Sequence, residues 1–387
     1  MWHDNSRLVF VDYEIHRDKG NFILEDKAAG DFYEMPIAAI EAIGCLSSGM
    51  TIHETEVHLL SKYPEEDIKI AEFITQLIEL KLIKQIDELV IDRVVKERDS
   101  TDFLWINKTA ASLFFNRYST FIYVLSFFGS VLLMIRNPSL FPHYTDLFWY
   151  DYMLYNVLLF SSISFILVLI HEAGHVLAAR SYDIPVNLGI GHRLFFPVIE
   201  SDVSSAWKLS TNKRNIVFLA GVMFDFVLLF LSLVIQEFIL PAKEGTLYAI
   251  TSMVNLNIII RLAYQCCFYM KTDLYFVLEN ITGHYNLMEE ARTYVSSMFS
   301  INKEKHSSSE TESFVKWYSY FYIGGTLLTV LLGLFYLLPQ IIYSLNMSIL
   351  SLSYPITTIQ FWDGFLILSQ FLILAALLIY SWRKKSL

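Results

Sequence analysis

The chain has 387 residues, of which 54% are hydrophobic and 18% are charged, and its net charge at pH 7 is -10. Soluble domains average about 25% charged residues, so this composition favours a membrane protein. The acidic balance argues against nucleic acid as the main partner, because phosphate binding requires a clustered basic surface. Three cysteines, two of them adjacent, argue against a disulfide framework.

Residues 1–110 are predicted to form a soluble α+β domain of winged-helix type. The segments RLVFVDYEI, NFILED and DFYEMP have the composition of short strands, with DKAAGD as a turn. The segments IAAIEAIGCL, TIHETEVHLLSKY and EDIKIAEFITQLIELKLI have helical periodicity. The opening stretch MWHDNSRLVFVDYE lacks the long apolar core of a cleavable signal peptide, and none is expected.

From residue 119 onward, apolar stretches predict six transmembrane helices, each long enough to cross a hydrocarbon core of about 30 Å. The predicted spans are 119–136, 152–180, 215–240, 246–270, 317–343 and 360–382. The fourth is the least apolar, since it carries Asn255, Asn257, Arg261 and Gln265, and we expect it to be shielded inside the bundle. A polar, serine-rich segment, 301–316, is predicted to link the core, 119–295, to two further spans within 317–387.

Basic residues predict the orientation of these spans. They cluster between spans two and three, between spans four and five, and in the terminal WRKKSL, whereas the opposite loops carry only Arg136 and Lys243. By the positive-inside rule, both termini and the amino-terminal domain face the cytoplasm of a multi-pass protein in the cell membrane.

The second span contains the sequence HEAGH within the apolar stretch FILVLIHEAGHVLAAR. His171 and His175 lie about 40° apart around a helix, so both imidazoles can reach one metal ion. Glu172 is placed to accept a proton from an activated water. Two histidines with a carboxylate and an open position suit Zn²⁺. The alternative, a pair of helix histidines satisfied by neighbours, is disfavoured because unrewarded polar groups are costly in lipid.

The third ligand must come from another segment at the same depth. Asp273 follows the fourth span as it reaches the cytoplasmic side, and Asp225 lies about 15 Å into the third span. His192 and Glu200, between spans two and three, are further candidates. Spacing alone leaves this choice open. We expect Asp225 to orient a ligand or to face the substrate, because an intramembrane carboxylate without a function is uncommon.

Four stretches resemble the site-2 protease superfamily of intramembrane zinc metalloproteases, and more closely its peptide zinc metalloprotease branch. They are HEAGH, the later LAGVMFD, the intervening PVIESDVSSAWKLS, and KTDLYFVLENITGHYNL after the fourth span. The resemblance covers residues 150 to 295. It implies that His171, His175 and Asp273 bind zinc and that Glu172 is the catalytic base.

Three polar residues are expected beside the ligands or facing the substrate: Asp225, Asp202 and Asn257. The chain departs from the family's pattern near these positions, and the departures affect substrate binding more than the metal site. They are Cys267 and Phe268 for Asn and Pro, Leu274 for Gly, Val222 for Pro, and Asp225 for Asn.

The amino-terminal domain resembles the PqqD-like RiPP recognition element, on the pattern of a hairpin, a proline and two helices in FILEDKAAGDFYEMPIAAIEAIGCLSSGMTIHETEVHLL. The resemblance implies binding of the leader of a ribosomally made, modified peptide by strand addition. The alternative is a docking or regulatory domain without a peptide ligand.

The leading hypothesis is an intramembrane zinc metalloprotease that hydrolyses a peptide bond in a membrane-associated or cytosolic precursor peptide, for leader removal, maturation or export. Its expected partners are that peptide, the lipid bilayer, and a modifying enzyme or transporter of the same pathway. Two alternatives remain open. One is a regulatory site-2-type protease that cuts a transmembrane regulator, and the other is a non-catalytic exporter or immunity component, which would not need Glu172.

Overall fold

The computed structural model describes residues 2–19, 21–65, 68–91, 103–193, 196–240, 242, 244–299 and 309–386. It divides into two compact units. Unit 1 comprises Met1–Asp102 together with Ser204–Arg214, and unit 2 comprises Phe103–Val203 together with Asn215–Leu387.

Unit 1 is a small α+β domain, as predicted. Its strands form two antiparallel three-stranded sheets, in the orders β1-β5-β6 and β2-β3-β4. Three helices lie between β4 and β5 in the chain. The elements are β1 (Leu8–Phe10), β2 (Tyr13–Asp18), β3 (Asn21–Asp26), β4 (Asp31–Met35), α1 (Ile37–Ser47), α2 (Ile52–Lys62), α3 (Ile70–Glu79), β5 (Ile83–Ile86) and β6 (Leu89–Val90).

The end of α3 differs from the helical segment predicted through Ile83. The helix stops at Glu79, and Lys81 adopts a left-handed backbone with φ 58°. The N–H of Leu82 then bonds the carbonyl of Leu77 at 3.0 Å, the reverse-turn bond of a Schellman ending. The chain can therefore turn back into β5. The helical periodicity predicts helix up to the first residue of this strand.

The core of unit 1 lies between the helices and the strands. Each helix contributes apolar side chains at helical spacing, and hydrophobic burial of this kind is the main stabilising term of a small domain. The most deeply buried members are Leu24, Ile43, Leu46, Leu59, Ile74, Leu77, Leu82 and Ile83.

The segment Ser204–Arg214 packs within unit 1 against the hairpin of β2 and β3. Arg214 is fully buried, donates from NH1 to Asp18 Oδ2 at 3.1 Å, and stacks its guanidinium 4.2 Å from the ring centroid of Trp207. Lys208 pairs with Glu25 at 2.6 Å. A buried charge must be paired to be tolerated, so the pair of Arg214 and Asp18 fixes the segment to the hairpin.

The described residues of unit 2 are helical apart from one hairpin and connecting turns. The elements are α4 (Lys108–Ser112), α5 (Arg117–Arg136), α6 (Met153–Ser181), β7 (Asn187–Arg193), β8 (Phe196–Asp202), α7 (Thr211–Val234, whose first turn belongs to unit 1), α8 (Thr246–Gln265), α9 (Asp273–Thr282), α10 (Leu287–Phe299), α11 (Ser309–Leu332), α12 (Leu338–Ser351) and α13 (Ile359–Ser386).

Six helices among the described residues are long and apolar enough to cross a membrane, which confirms the predicted multi-span architecture. They are Arg117–Arg136, Leu154–Ser181, Thr211–Ile239, Thr246–Gln265, Ser313–Phe335 and Ile359–Tyr380. The third and fourth are the most buried, as expected for the polar fourth span, whereas the last two are largely exposed.

The predicted fifth span, 317–343, is two helices. Between α11 and α12 the residues Gly333–Leu337 form a π-helical turn. Pro339 follows this turn and has no N–H for the helical bond, which is the kind of defect that a π turn accommodates. Of the predicted linker 301–316, residues 301–308 lie outside the described chain, and 309–316 are already helical in α11.

Strands β7 and β8 form an antiparallel hairpin, in register from Asn187 opposite Asp202 to Arg193 opposite Phe196. Strand β8 contacts α6, and both strands contact α13. The hairpin therefore lies beside the helix that carries HEAGH.

Candidate metal centre

The two histidines of HEAGH lie on one face of α6, and both are buried. Their Nε2 atoms are 3.4 Å apart. The Nδ1 of His175 bonds the carbonyl oxygen of Val217 at 2.8 Å, and the Nδ1 of His171 bonds Asp225 Oδ2 at 2.8 Å. The four-residue helical spacing thus brings the rings together, and α7 supplies a hydrogen-bond acceptor for the far side of each ring.

Asp273 approaches the same point from the start of α9. Its Oδ2 lies 3.1 Å from His171 Nε2 and 3.5 Å from His175 Nε2. The fourth span ends at Gln265, five residues before the predicted end, and the chain turns through Lys271 with φ 53°. Gln265 holds Asp273 by its carboxylate and its backbone, because Nε2 donates to Asp273 Oδ2 at 2.6 Å and Oε1 accepts from the Asp273 N–H at 3.0 Å.

The donor set fits a divalent metal. A backbone carbonyl only accepts, so the Nδ1 of His175 carries its hydrogen, and a neutral ring then presents a lone pair at Nε2. The carboxylate of Asp225 gives His171 the same tautomer. Two lone pairs and the carboxylate of Asp273 therefore converge on one point, an arrangement of acceptors that a cation stabilises. Two nitrogens and one oxygen suit zinc.

Glu172 lies beside the histidines, with its side chain held by strand β8. Its Oε2 accepts hydrogen bonds from the Ser201 N–H at 2.8 Å and from the Ser201 hydroxyl at 2.7 Å. The described contacts of this carboxylate leave Oε1 as the oxygen without a hydrogen bond. A carboxylate fixed through one oxygen can use the other to exchange a proton with water.

Two glycines allow α6 and α7 to approach each other at this point. A Cβ on Gly174 would lie 2.7 Å from the carbonyl oxygen of Ala220, and a Cβ on Gly221 would overlap the imidazole of His171. Both are tighter than a normal carbon contact. The glycine of HEAGH and the glycine of LAGVMFD are thus required by the close helix contact.

The other predicted polar residues divide between two places. Asp225 is fully buried between His171 and Arg261, and Asn257 accepts a hydrogen bond from Arg261 NH2 at 3.2 Å. Asp202 is exposed at the end of β8, and so it lies outside this buried group.

The two further ligand candidates also lie on the hairpin, His192 on β7 and Glu200 on β8. The carboxylate of Glu200 packs over Gly191.

A second group of metal-binding side chains occurs in unit 1, on β2 and β3. It consists of Glu14, His16 and Glu25. Lys27 pairs with Glu14 at 3.2 Å and Lys208 pairs with Glu25 at 2.6 Å. Because each carboxylate already has a cation, the group is an ion-pair network of the hairpin of β2 and β3.

Sequence reasoning missed Ser201, Gly221 and Val217. The sequence identified Gln265 as a polar residue of the fourth span, but it did not predict that Gln265 binds Asp273. Ser201 lies within the stretch PVIESDVSSAWKLS, and Gly221 lies within LAGVMFD, so the motifs contained both residues. Their functions depend on contacts across the chain that spacing does not encode.

The geometry brings two imidazole nitrogens and one carboxylate oxygen together beside Glu172, a donor set that suits a metal ion. Residues 159–343, just under half of the chain, match the model of Peptidase family M50. Over these residues the chain is similar to that family, which supports the resemblance to the site-2 proteases. No curated protein and no solved structure matches the chain. The matched residues do not include unit 1 residues 1–102, for which the PqqD-like resemblance stays a prediction.

Proposed function

We propose that this protein is an intramembrane zinc endopeptidase in which His171, His175 and Asp273 hold the metal and Glu172 is the general base. The observation that carries the proposal is the convergence of the two Nε2 atoms and Asp273 Oδ2 within 3.5 Å of one another, directly beside Glu172. When bound, zinc supplies a Lewis acid that polarises the scissile carbonyl and acidifies water.

Glu172 moves the protons of the reaction. Its Oε1 takes a proton from water as the water oxygen bonds the carbonyl carbon, and it later gives that proton to the leaving amine nitrogen as the C–N bond breaks. Ser201 supports this role, because its two hydrogen bonds hold Oε2 and thereby aim Oε1. A positioned base of this kind contributes roughly 10²–10⁴-fold to the rate.

The chemistry can be tested without knowing the natural substrate. Wild-type protein in lipid nanodiscs is incubated with a proteome-derived peptide library, and new termini are mapped by mass spectrometry. We expect cleavage that stops on chelation, and we expect Glu172→Gln to bind zinc at the wild-type level yet to yield no products. Equal cleavage by Glu172→Gln would refute the assignment of the base.

The third ligand can be tested by metal analysis alone. Asp273 lies on the Nε2 side of His171 and Asp225 lies on the Nδ1 side. We therefore expect Asp273→Ala to lose more zinc than Asp225→Ala at a buffered free-zinc concentration. Strong zinc loss in Asp225→Ala alone would reverse the assignment.

We also propose that the substrate is a ribosomally made precursor peptide whose leader binds unit 1, with both termini of the protein in the cytoplasm. Strand β2 is an edge of the described sheet β2-β3-β4, and edge strands accept an added strand. A shallow, open surface depression runs along α2 and is lined by Met50, His53, Glu54, Val57, His58 and Ser61. The distribution of basic residues between the spans supports the orientation.

Leader binding can be tested on the full-length protein. A photo-crosslinking amino acid is placed at Ile15, an exposed position of β2, in the Glu172→Gln background. We expect precursor-type peptides to crosslink at Ile15, and we expect unlabelled leader peptide to reduce that crosslinking. Capture of transmembrane segments instead, with no leader bound, would favour the regulatory protease.

A further inference from the structure

A charged pair lies inside the membrane bundle next to the metal centre. Arg261 on α8 donates from NH1 to Asp225 Oδ1 on α7 at 3.1 Å. The Asp225 side chain is fully buried and the Arg261 side chain is 13% exposed. Charged side chains at membrane depth are costly, so a pair retained there indicates a function.

Arg261 links its own span to two others. Besides Asp225, its NH1 donates to the Leu167 carbonyl of α6 at 2.9 Å, and its NH2 donates to Asn257 Oδ1 on its own helix at 3.2 Å. In an α-helix the carbonyl of residue 167 also accepts the N–H of residue 171, four residues on. The guanidinium therefore grips α6 at the turn that carries His171.

The carboxylate of Asp225 divides its two oxygens between two partners. Oδ1 accepts from Arg261, and Oδ2 accepts from His171 Nδ1 at 2.8 Å. The position of Arg261 thus fixes the carboxylate, and the carboxylate fixes the plane of the imidazole. On the opposite side of that ring, Nε2 faces His175 and Asp273.

We propose that Arg261 is a positioning residue of the metal centre, acting through Asp225 to aim His171 Nε2 at the metal. This rests on the proposed function, because it concerns the same site. It extends that function by making the ligand geometry depend on an ion pair between α7 and α8. Groups that orient a metal-binding histidine typically contribute 10- to 100-fold in metal affinity.

The charges give the proposal a specific signature. Removing only the arginine leaves Asp225 as an uncompensated buried anion, whereas an asparagine at 225 can still accept from His171 without needing a cation. Arg261→Met should therefore be more damaging than the double change Asp225→Asn with Arg261→Met. Arg261→Lys keeps the positive charge but loses part of the hydrogen bonding to Leu167, Asp225 and Asn257.

The experiment measures the zinc dissociation constant against buffered free zinc and the melting temperature of the metal-free protein, both in nanodiscs. For Arg261→Met we expect zinc affinity to fall 10- to 100-fold. If Arg261→Met weakens zinc binding 100-fold, we expect the double variant to bind zinc at least tenfold more tightly than Arg261→Met. We expect the zinc affinity of Arg261→Lys to lie between those of wild type and Arg261→Met. The last two variants keep the test decisive if Arg261→Met does not fold.

Arg214→Met is the matched control, because Arg214 forms a buried pair with Asp18 at the same 3.1 Å within unit 1. We expect it to lower the melting temperature and leave zinc affinity within twofold of wild type. If Arg261→Met lowers only the melting temperature and binds zinc normally, the positioning role is wrong. If wild-type protein itself binds no zinc, the proposed function fails, and this outcome is distinct from failure of the Arg261 proposal.

Discussion

Replacing Gly221 with alanine tests whether the close contact of α6 and α7 sets the metal geometry. A Cβ at this position would lie 2.6 Å from two ring carbons of His171, whereas ordinary contact begins at 3.4 Å. The nearest ring atom is Nε2, so the ring must retreat by about 1 Å, or the helices must separate by a similar distance. Overpacking of this size costs roughly 1–3 kcal/mol.

The same displacement also affects the proposed metal geometry. A displacement of about 1 Å in a catalytic constellation can cost about 100-fold in rate. Since His171 is a proposed ligand, we expect zinc affinity in Gly221→Ala to fall at least tenfold. The assay is zinc content at buffered free zinc, together with the melting temperature of the metal-free protein.

Gly324→Ala is the control for helix propensity. Gly324 lies in α11 with open space where its Cβ would be, so alanine should be neutral or slightly stabilising there. The reasoning is refuted if Gly221→Ala binds zinc as tightly as wild type and Gly324→Ala. That result would mean that the bundle absorbs the methyl group without moving His171.

Three further outcomes follow from the structure. Burial raises the pKa of Glu279 to about 7, so the folded state favours the protonated form, and the free energy of unfolding should fall by about 3 kcal/mol between pH 4.5 and 7. Melting curves of Glu279→Gln should lack this fall. The same pH dependence in Glu279→Gln as in wild type would contradict the assignment. Ser201→Ala should lower the cleavage rate about tenfold with zinc unchanged, because one hydrogen bond to Glu172 is lost; an unchanged rate would argue against positioning by the hydroxyl. Arg214→Met should destabilise unit 1 by about 3–5 kcal/mol, because the buried carboxylate of Asp18 loses its cationic partner; a wild-type melting temperature would show that the pair is dispensable.

The meeting of His171 and His175 was predictable because it is local. Two residues four apart on a helix share a face whatever surrounds them, so HEAGH alone places both imidazoles together. The long apolar stretches likewise predict the membrane helices. Each of these features depends on a period within one segment.

The remaining features depend on contacts between segments. Ser201 lies 29 residues after Glu172 in the chain, and Gln265 meets Asp273 only because α8 stops where it does. Spacing could not choose between Asp225 and Asp273, since depth in the membrane is similar for both. What distinguishes them in the structure is which ring nitrogen of His171 each one faces.

Two backbone carbonyls explain how so many polar groups are tolerated at this depth. The carbonyl of Val217 accepts from His175, and the carbonyl of Leu167 accepts from Arg261. A carbonyl oxygen has two lone pairs, so each can keep its helical bond and still accept a second donor. The helix backbone thus supplies acceptors that would otherwise require further polar side chains in lipid.

This use of the backbone also explains the small residues. A carbonyl of α7 can reach an imidazole of α6 only if the two helices are nearly in contact, and Gly174 and Gly221 permit that approach. Larger side chains at either glycine would remove the acceptor of His175 as well as crowd His171. The two glycines permit the helix contact, and that contact gives His175 the Val217 carbonyl that sets its tautomer. A single methyl group added at Gly221 should therefore change zinc binding.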